Sequence, residues 1–438
     1  LQMALLFDKS LETWPETALK ESLEFEKKGS DLIVYFIVGS HVNNEIHVAH
    51  MARCPLPDTV DPQNSDEYGR LIDDDWITDY SEKVLRMLCG GITIVGVAAV
   101  CSKKIFSDQR SSLHKSLAKT QRMMALMSAL DLEPAPSTMV LLHLDMTTKK
   151  MSTVIIDVVK RGPDTPTKVT YSQLKWVSLV TRVAIDIRTA IDVIAKDDFY
   201  AEFTSALKPW ATSLFSSDTL ITFDGEIRED SEDLVKDLKK AKDISSFEVL
   251  MYLNEGSGDA EPSDVQKIGE VFEVSFDLAV RASVPVKSTV AEGKRALRHH
   301  IIRQLMARAS LHYESMGLQE EGARASPALH QLPRACTTVI PTGGALLVYD
   351  FLFEADTADD AIKNFNQLLG LKVSSVEEVD ELWERNLSEG EVEEPSLIIQ
   401  NAHRPPAESS SSIPYILIFL AVIAVIFAII FYIVLKVS

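Results

Sequence analysis

Residues 73–100 read DDDWITDYSEKVLRMLCGGITIVGVAAV, and a change of period inside them decides the fold class. In the first half Ile77, Tyr80, Val84, Leu85 and Leu88 recur at three- and four-residue spacing. That spacing puts them on one face of a helix over Trp76–Leu88. Gly90 and Gly91 stop the helix. The second half, Ile92–Val100, is continuously apolar and rich in β-branched residues, the pattern of a strand buried on both faces. A helix that passes into a doubly buried strand is an α/β unit.

The neighbouring segments repeat the theme. Upstream, DLIVYFIVGS (31–40) is a second continuous apolar run, and Asn43–Asn44 turn it into a strand over Ile46–Arg53. An amphipathic helix over 10–28 precedes this hairpin, with Ser10 as cap and Pro15 early, where proline costs least. Residues 55–75, beginning PLPDTVDPQNSDE, read as an exposed loop. Downstream, a long helix over 109–130 carries a Met/Leu face, and 138–145 and 151–159 form another hairpin around Thr148–Lys149. These elements specify one α/β domain over residues 1–161, bounded by the turn-rich GPDTPT at 162–167.

A second, mixed α+β domain is expected over 168–372. In 176–188 Val177, Leu179, Val183, Ile185 and Ile187 alternate with other residues, the mark of a strand. Helix is expected at 207–215, and a strand closed by Asp224–Gly225 at 219–227. A charged helix or loop over 228–243, strands at 247–254 and 270–280 and a helix over 289–311 follow. Strands at Val339 and 345–353 and a helix over 357–369 complete it. From 373 to 414 acidic clusters (EEVDELWE, EGEVEE) give way to RPPAESSSS, a disordered acidic tether with a helical start near 376–383.

Residues 415–435 form the last segment. From Ile416 to Leu435 the chain carries no charge, proline or glycine. Twenty helical residues at ~1.5 Å each span roughly 30 Å, the thickness of a bilayer's hydrocarbon core. A single transmembrane helix is expected, with Tyr415 and Tyr432 at the interfaces and Lys436 in the headgroups. Three residues follow it, so the reading is a tail anchor with the bulk of the chain in the cytosol, favouring the endoplasmic reticulum membrane.

Composition excludes several classes. Lys and Arg number 44 against 64 Asp and Glu, a net charge of −20. That argues against nucleic acid as a partner and against docking on anionic lipid. Cys54, Cys89, Cys101 and Cys336 lie far apart with no C-x-x-C pair, which excludes a zinc ribbon and fits a reducing compartment. No G-x-S-x-G elbow, phosphate loop or G-x-G-x-x-G stands in the sequence, so no cofactor is expected. His41, His47 and His50 are close, with Glu45 among them, but His47 and His50 fall on opposite faces of a strand. The helix segment KRALRHHIIR offers Lys294, Arg295, Arg298 and Arg303 as a basic face for an acidic partner.

Three stretches carry a resemblance: 73–100, WVSLVTRVAIDI (176–187) and VIPTGGALLVYDFLFEADTADDAIKNF (339–365). Their order and spacing, with the terminal anchor, resemble the odorant-response-abnormal-four-like family. The resemblance implies a tail-anchored protein of the endoplasmic reticulum that assists folding, maturation and trafficking of multi-spanning receptors, odorant receptors bound for cilia among them. It further implies a partner, the ubiquitin-fold-modifier-specific protease, held at the membrane, and a first domain similar to the MPN fold of metal-dependent isopeptidases. Active MPN proteins follow a Val-Gly pair with H-x-H. Here Val95–Gly96 leads to Ala99 and Cys101 at those positions, so the implied domain is a catalytically dead MPN-like platform. The expectation is a non-enzymatic adaptor. A hydrolase or isopeptidase with an unrecognised active site is the alternative, and labelling by a thiol or serine probe would reveal it.

Overall fold

The computed structural model describes residues 3–26, 31–55, 73–160, 162–191, 199–236, 246–252, 270–319, 332–342, 344–353 and 355–381. The first part of the chain runs β1 (Ala4–Asp8), α1 (Trp14–Glu26), β2 (Leu32–Val42), β3 (Glu45–Arg53), α2 (Asp74–Arg86) and β4 (Thr93–Cys101). It continues through α3 (Lys103–Ala129), β5 (Thr138–Asp145), β6 (Met151–Asp157), β7 (Thr165–Thr167) and β8 (Val169–Ser172). These eight strands make one mixed sheet in the order β7-β6-β5-β4-β2-β3-β1-β8. Central β2 is antiparallel to β3 and β4, whereas β4–β5 and β1–β3 are parallel pairs.

The continuous apolar runs are explained by two cores. Along β2, Leu32, Val34, Phe36 and Val38 face a large core filled by α2 and α3. Ile33, Tyr35 and Ile37 face a smaller one, closed by Trp14 and Ala18 of α1. With both faces covered, nothing favours polar residues at alternate positions. Asn43, with φ 51°, takes the left-handed conformation that turns β2 into β3.

The remainder runs β9 (Trp176–Ile191), α4 (Phe199–Phe215), β10 (Leu220–Phe223), β11 (Glu226–Ile227), β12 (Ser246–Tyr252) and β13 (Glu270–Pro285). It ends with α5 (Val290–Gln319), β14 (Arg334–Thr342), β15 (Gly344–Leu352) and α6 (Ala358–Leu369). A five-stranded sheet, β11-β10-β12-β9-β13, and the hairpin β14–β15 result. The alternation in β9 sends Val177, Leu179, Val183 and Ile185 into the core. α6 is framed by a Thr357/Asp360 capping box and by Gly370 at φ 65°.

The structure differs from the sequence reading at three places. Residues 165–167, inside the expected boundary, are β7, an edge strand paired with β6, while β8 pairs with β1 on the opposite edge. Residues of both expected domains share the large core: Phe36, Leu85 and Met127 belong to it together with Val177, Leu297 and Tyr349. All described residues accordingly fall within one compact unit, 1–387. Third, the expected helical start at 376–383 is a single 3-10 turn over Val376–Glu378. Asp380 then exchanges two backbone hydrogen bonds with Thr337 of β14, at 3.0 and 2.8 Å. Val373 and Val379 are buried, so apolar contact holds the beginning of the acidic stretch on the folded body. The tether beyond 381 and the apolar run 416–435 lie outside the described residues, among which no helix is long and apolar enough to cross a membrane.

Candidate functional site

The segment Met87–Ile92, between α2 and β4, joins the two sheets. Met87 O accepts from Tyr349 N of β15 at 2.7 Å, and Gly90 O accepts from Ser283 N of β13 at 2.8 Å. The glycines do more than end a helix. A Cβ on Gly90 would lie 2.5 Å from Ala296 O of α5, and one on Gly91 would lie 2.3 Å from Ser283 O, with φ at +80° besides. Only glycine permits this approach.

Arg303 completes the joint from α5. Its Nη1 donates to Leu88 O (3.1 Å), Cys89 O (3.4 Å) and Ile92 O (3.0 Å), and its Nε to Ser128 Oγ of α3 (3.3 Å). Among the described residues no carboxylate forms an ion pair with it, and burial lowers its pKa to about 10. A guanidinium's five donors suit this task, since each loop carbonyl taken from water needs a partner.

The expected partner-facing basic helix is therefore corrected. Arg303 is 3% exposed. Lys294 Nζ lies 2.7 Å from Asp230, Arg298 Nη2 donates to Ser216 O at 3.2 Å, and Arg295 Nε lies 3.3 Å from Glu133. His300 is buried against the Tyr349 ring, with centroids 4.7 Å apart. Arginine's long apolar stem lets a basic sequence enter a core, provided its head finds carbonyls there. Of the four residues only the Arg295 side chain is largely exposed, at 62%.

Ala99 and Cys101 are both fully buried and face the large core. Nearby, His143 Nε2 lies 3.1 Å from Cys101 O, and its ring stacks on Phe106 at 4.1 Å. Asp145 accepts from Thr147 N and Thr148 Oγ1. No group of three His, Cys, Asp or Glu stands together to hold a metal among the described residues. His41 meets Thr138 O at 2.9 Å, His47 meets Glu45 at 2.7 Å and His50 meets Leu369 O at 2.6 Å, three separate partners. Burial lowers the pKa of all three. All four cysteines are free and buried. Burial pushes Cys54 and Cys101 up to about 12 and Cys89 to about 11, and raises Cys336, so none supplies a thiolate at neutral pH.

A pocket of about 240 Å³ opens beside β1 and β8, with His47, Lys175 and Lys287 among its lining residues. Lys287 Nζ sits 3.2 Å from both Glu45 carboxylate oxygens, and Glu45 in turn holds His47. Lys287, Glu45 and His47 thus form an ion-pair chain and not a nucleophile with its base, while His47 Nδ1 is buried with no hydrogen-bond partner among the described residues. Sequence reading missed Lys287 here and the inward role of Arg303, because contacts over more than 200 residues leave no local pattern. The local signal for the joint was the Gly90–Gly91 pair in RMLCGG, residues 86–91.

The family model described as "ODR4-like: Odorant response abnormal 4-like" matches residues 35–379. "Odorant response abnormal protein 4" of Caenorhabditis elegans is 37% identical over 93% of this chain and 86% of its own length. "Protein odr-4 homolog" of Xenopus tropicalis is 21% identical over 78% of this chain and 79% of its own. Among solved structures, a crystal structure of UfSP from C. elegans aligns with TM-score 0.45 and 10% identity, covering 88% of this chain and 60% of that one. With its family model spanning most of the chain and a relative above one-third identity over nearly all of it, this chain belongs to the odorant response abnormal 4-like family.

Proposed function

We propose that this protein is a non-enzymatic, membrane-anchored adaptor for the biogenesis of odorant-type receptors. On this reading residues 416–435 anchor it in the endoplasmic reticulum membrane with the folded body in the cytosol. There it assists folding and trafficking of multi-spanning receptors towards cilia and holds the ubiquitin-fold-modifier-specific protease. The observation that carries the reading is family membership over residues 35–379, with relatives named for odorant response. Support comes from the apolar run 416–435, long enough for a bilayer. It comes also from Ala99 and Cys101, which put no histidine where an active MPN-type isopeptidase needs two. The four buried, high-pKa thiols weigh against the alternative of a thiol hydrolase.

The test is receptor delivery in cells lacking the endogenous protein. The full chain is expected to restore an odorant receptor to the cell surface, and a chain lacking 416–435 to fail. Restoration by both forms overturns the anchoring, and restoration by neither overturns the receptor role. The protease partnership is tested separately, by co-purification with the full chain from detergent extracts.

A further inference from the structure

Among the described residues, the outer face of the five-stranded sheet is covered at one side and bare at the other. Over β13 the hairpin β14–β15 lies against it. Tyr349 Oη donates to Arg281 O at 3.4 Å, and Ala279, Arg281 and Ser283 are buried. Towards β12, β10 and β11 the cover ends. Pairing sets Leu220 opposite Tyr252, Thr222 opposite Leu250, and Ile227 opposite Thr222. The alternation of strands then places Leu220, Leu250, Tyr252 and Ile227 on one face. They are 42, 43, 53 and 71% exposed. The other large exposed apolar side chains among the described residues sit on five separate segments, so this is a cluster and not ordinary scatter. Beneath it the Thr222 hydroxyl is buried with no hydrogen-bond partner among the described residues.

Charge around the cluster is predominantly negative. Asp218, Asp224 and Glu248 are exposed beside it, against one exposed cation among the described residues of that face, Arg182 of β9, which pairs with Ala279. A second copy would bring the same carboxylates against them, on a chain of net charge −20, and anionic lipid would be repelled equally. Three strands at ~4.8 Å spacing make a strip roughly 10–15 Å wide, about the diameter of one α-helix.

We propose that this face docks a basic amphipathic helix, of the kind that cytosolic loops of multi-spanning receptors present next to the membrane. The inference deepens the receptor reading above and rests on it. Such loops carry an excess of Lys and Arg by the positive-inside rule. An apolar stripe of i, i+3/i+4, i+7 residues lies on Leu220, Leu250 and Tyr252, and its flanking cations meet Asp224 and Glu248.

The probe is a fluorescein-labelled, 18-residue Leu/Lys amphipathic peptide. It is titrated into the full chain in maltoside micelles, with empty micelles as the blank. The wild-type chain is expected to bind it in a salt-sensitive manner. The double variant Leu250→Ser/Tyr252→Ser should bind at least tenfold more weakly, and Glu248→Lys should weaken the salt dependence. All three positions are exposed, and unchanged thermal melting confirms that the variants fold. Equal affinity for wild type and the serine variant overturns the proposal, as does a wild-type dimer in light scattering that the serine variant abolishes. Receptor delivery separates the two readings. Failure of the serine variant to deliver, with its anchor intact, supports docking here. Normal delivery by it overturns this site and leaves the receptor role standing, whereas only failure of the wild-type chain overturns that role.

Discussion

In the eight-stranded sheet, β2 sends alternate side chains into two cores, and both sets are buried. In the five-stranded sheet, β12 buries Phe247 and Val249 but leaves Glu248, Leu250 and Tyr252 exposed. The same backbone geometry thus serves two purposes. A sheet covered on both sides is a scaffold in which every residue is constrained by neighbours. A sheet bare over part of one face has surface that stability does not require, and such surface is free to be shaped by a partner. The joint at 87–92, pinned by Arg303, is where scaffold and bare sheet meet.

The sharpest way to break this contrast is to cut into the scaffold. Phe36→Ala empties a fully buried site between β2 and α2. It should cost about 3–5 kcal/mol in urea unfolding. Arg303→Met removes donors from three buried carbonyls and should cost about 3 kcal/mol by the same measurement. A loss under ~1 kcal/mol would show that the joint does not depend on that guanidinium. Gly91→Ala forces a Cβ against Ser283 O at positive φ. It should cost about 1–3 kcal/mol, read as a lower melting temperature.

Titration sharpens the comparison further. Asp350 on β15 is buried, which raises its pKa to about 6, while Asn364 Nδ2 donates to its Oδ2 at 2.9 Å. A carboxyl whose folded pKa is raised binds its proton more tightly when folded. Its contribution is present at low pH and is lost as pH rises from 3.8 through about 6. Asp350→Asn should therefore stabilise the protein at pH 7 by on the order of 2 kcal/mol and have no such effect at pH 4. His41, His50 and His300 act oppositely. Burial lowers each below the ordinary 6.5, so the stability of keeping them neutral is present above that pH and lost as pH falls through it. Melting temperature against pH for wild type and variant checks both signs. The smallest effect belongs to the bare face, where Leu250→Ala should change stability by no more than ~0.5 kcal/mol. A larger loss would mean that the face is already structural.

Much of this architecture was legible in the sequence. The helix–strand change within 73–100, the hairpin at Asn43–Asn44 and the alternation in 176–188 all reappear, because each is a local period. β1, β7 and β8 were missed for physical reasons. Ala4–Asp8 and Val169–Ser172 are short and owe their strand state to each other across most of the first sheet's sequence, while Thr165–Pro166–Thr167 has turn composition and is a strand only through its pairing with β6. The candidate site was less legible. A run of Lys, Arg and His looks like surface because charge prefers water. Arg303 and His300 lie inside only because Leu88, Cys89 and Ile92 offer carbonyls there and Tyr349 offers a ring.

By itself the sequence determined the elements, the acidic balance and the family resemblance, since these reside in composition and in periods of two and 3.6 residues. Only the tertiary structure decided which elements adjoin. It set β1 beside β8, placed the Met87–Ile92 joint between β13 and β15, and turned the basic helix inward. The reason lies in the chemistry of the contacts. Backbone N–H and C=O groups make most of them, every residue carries nearly the same pair, and so the choice of distant partner is written in no single stretch of side chains.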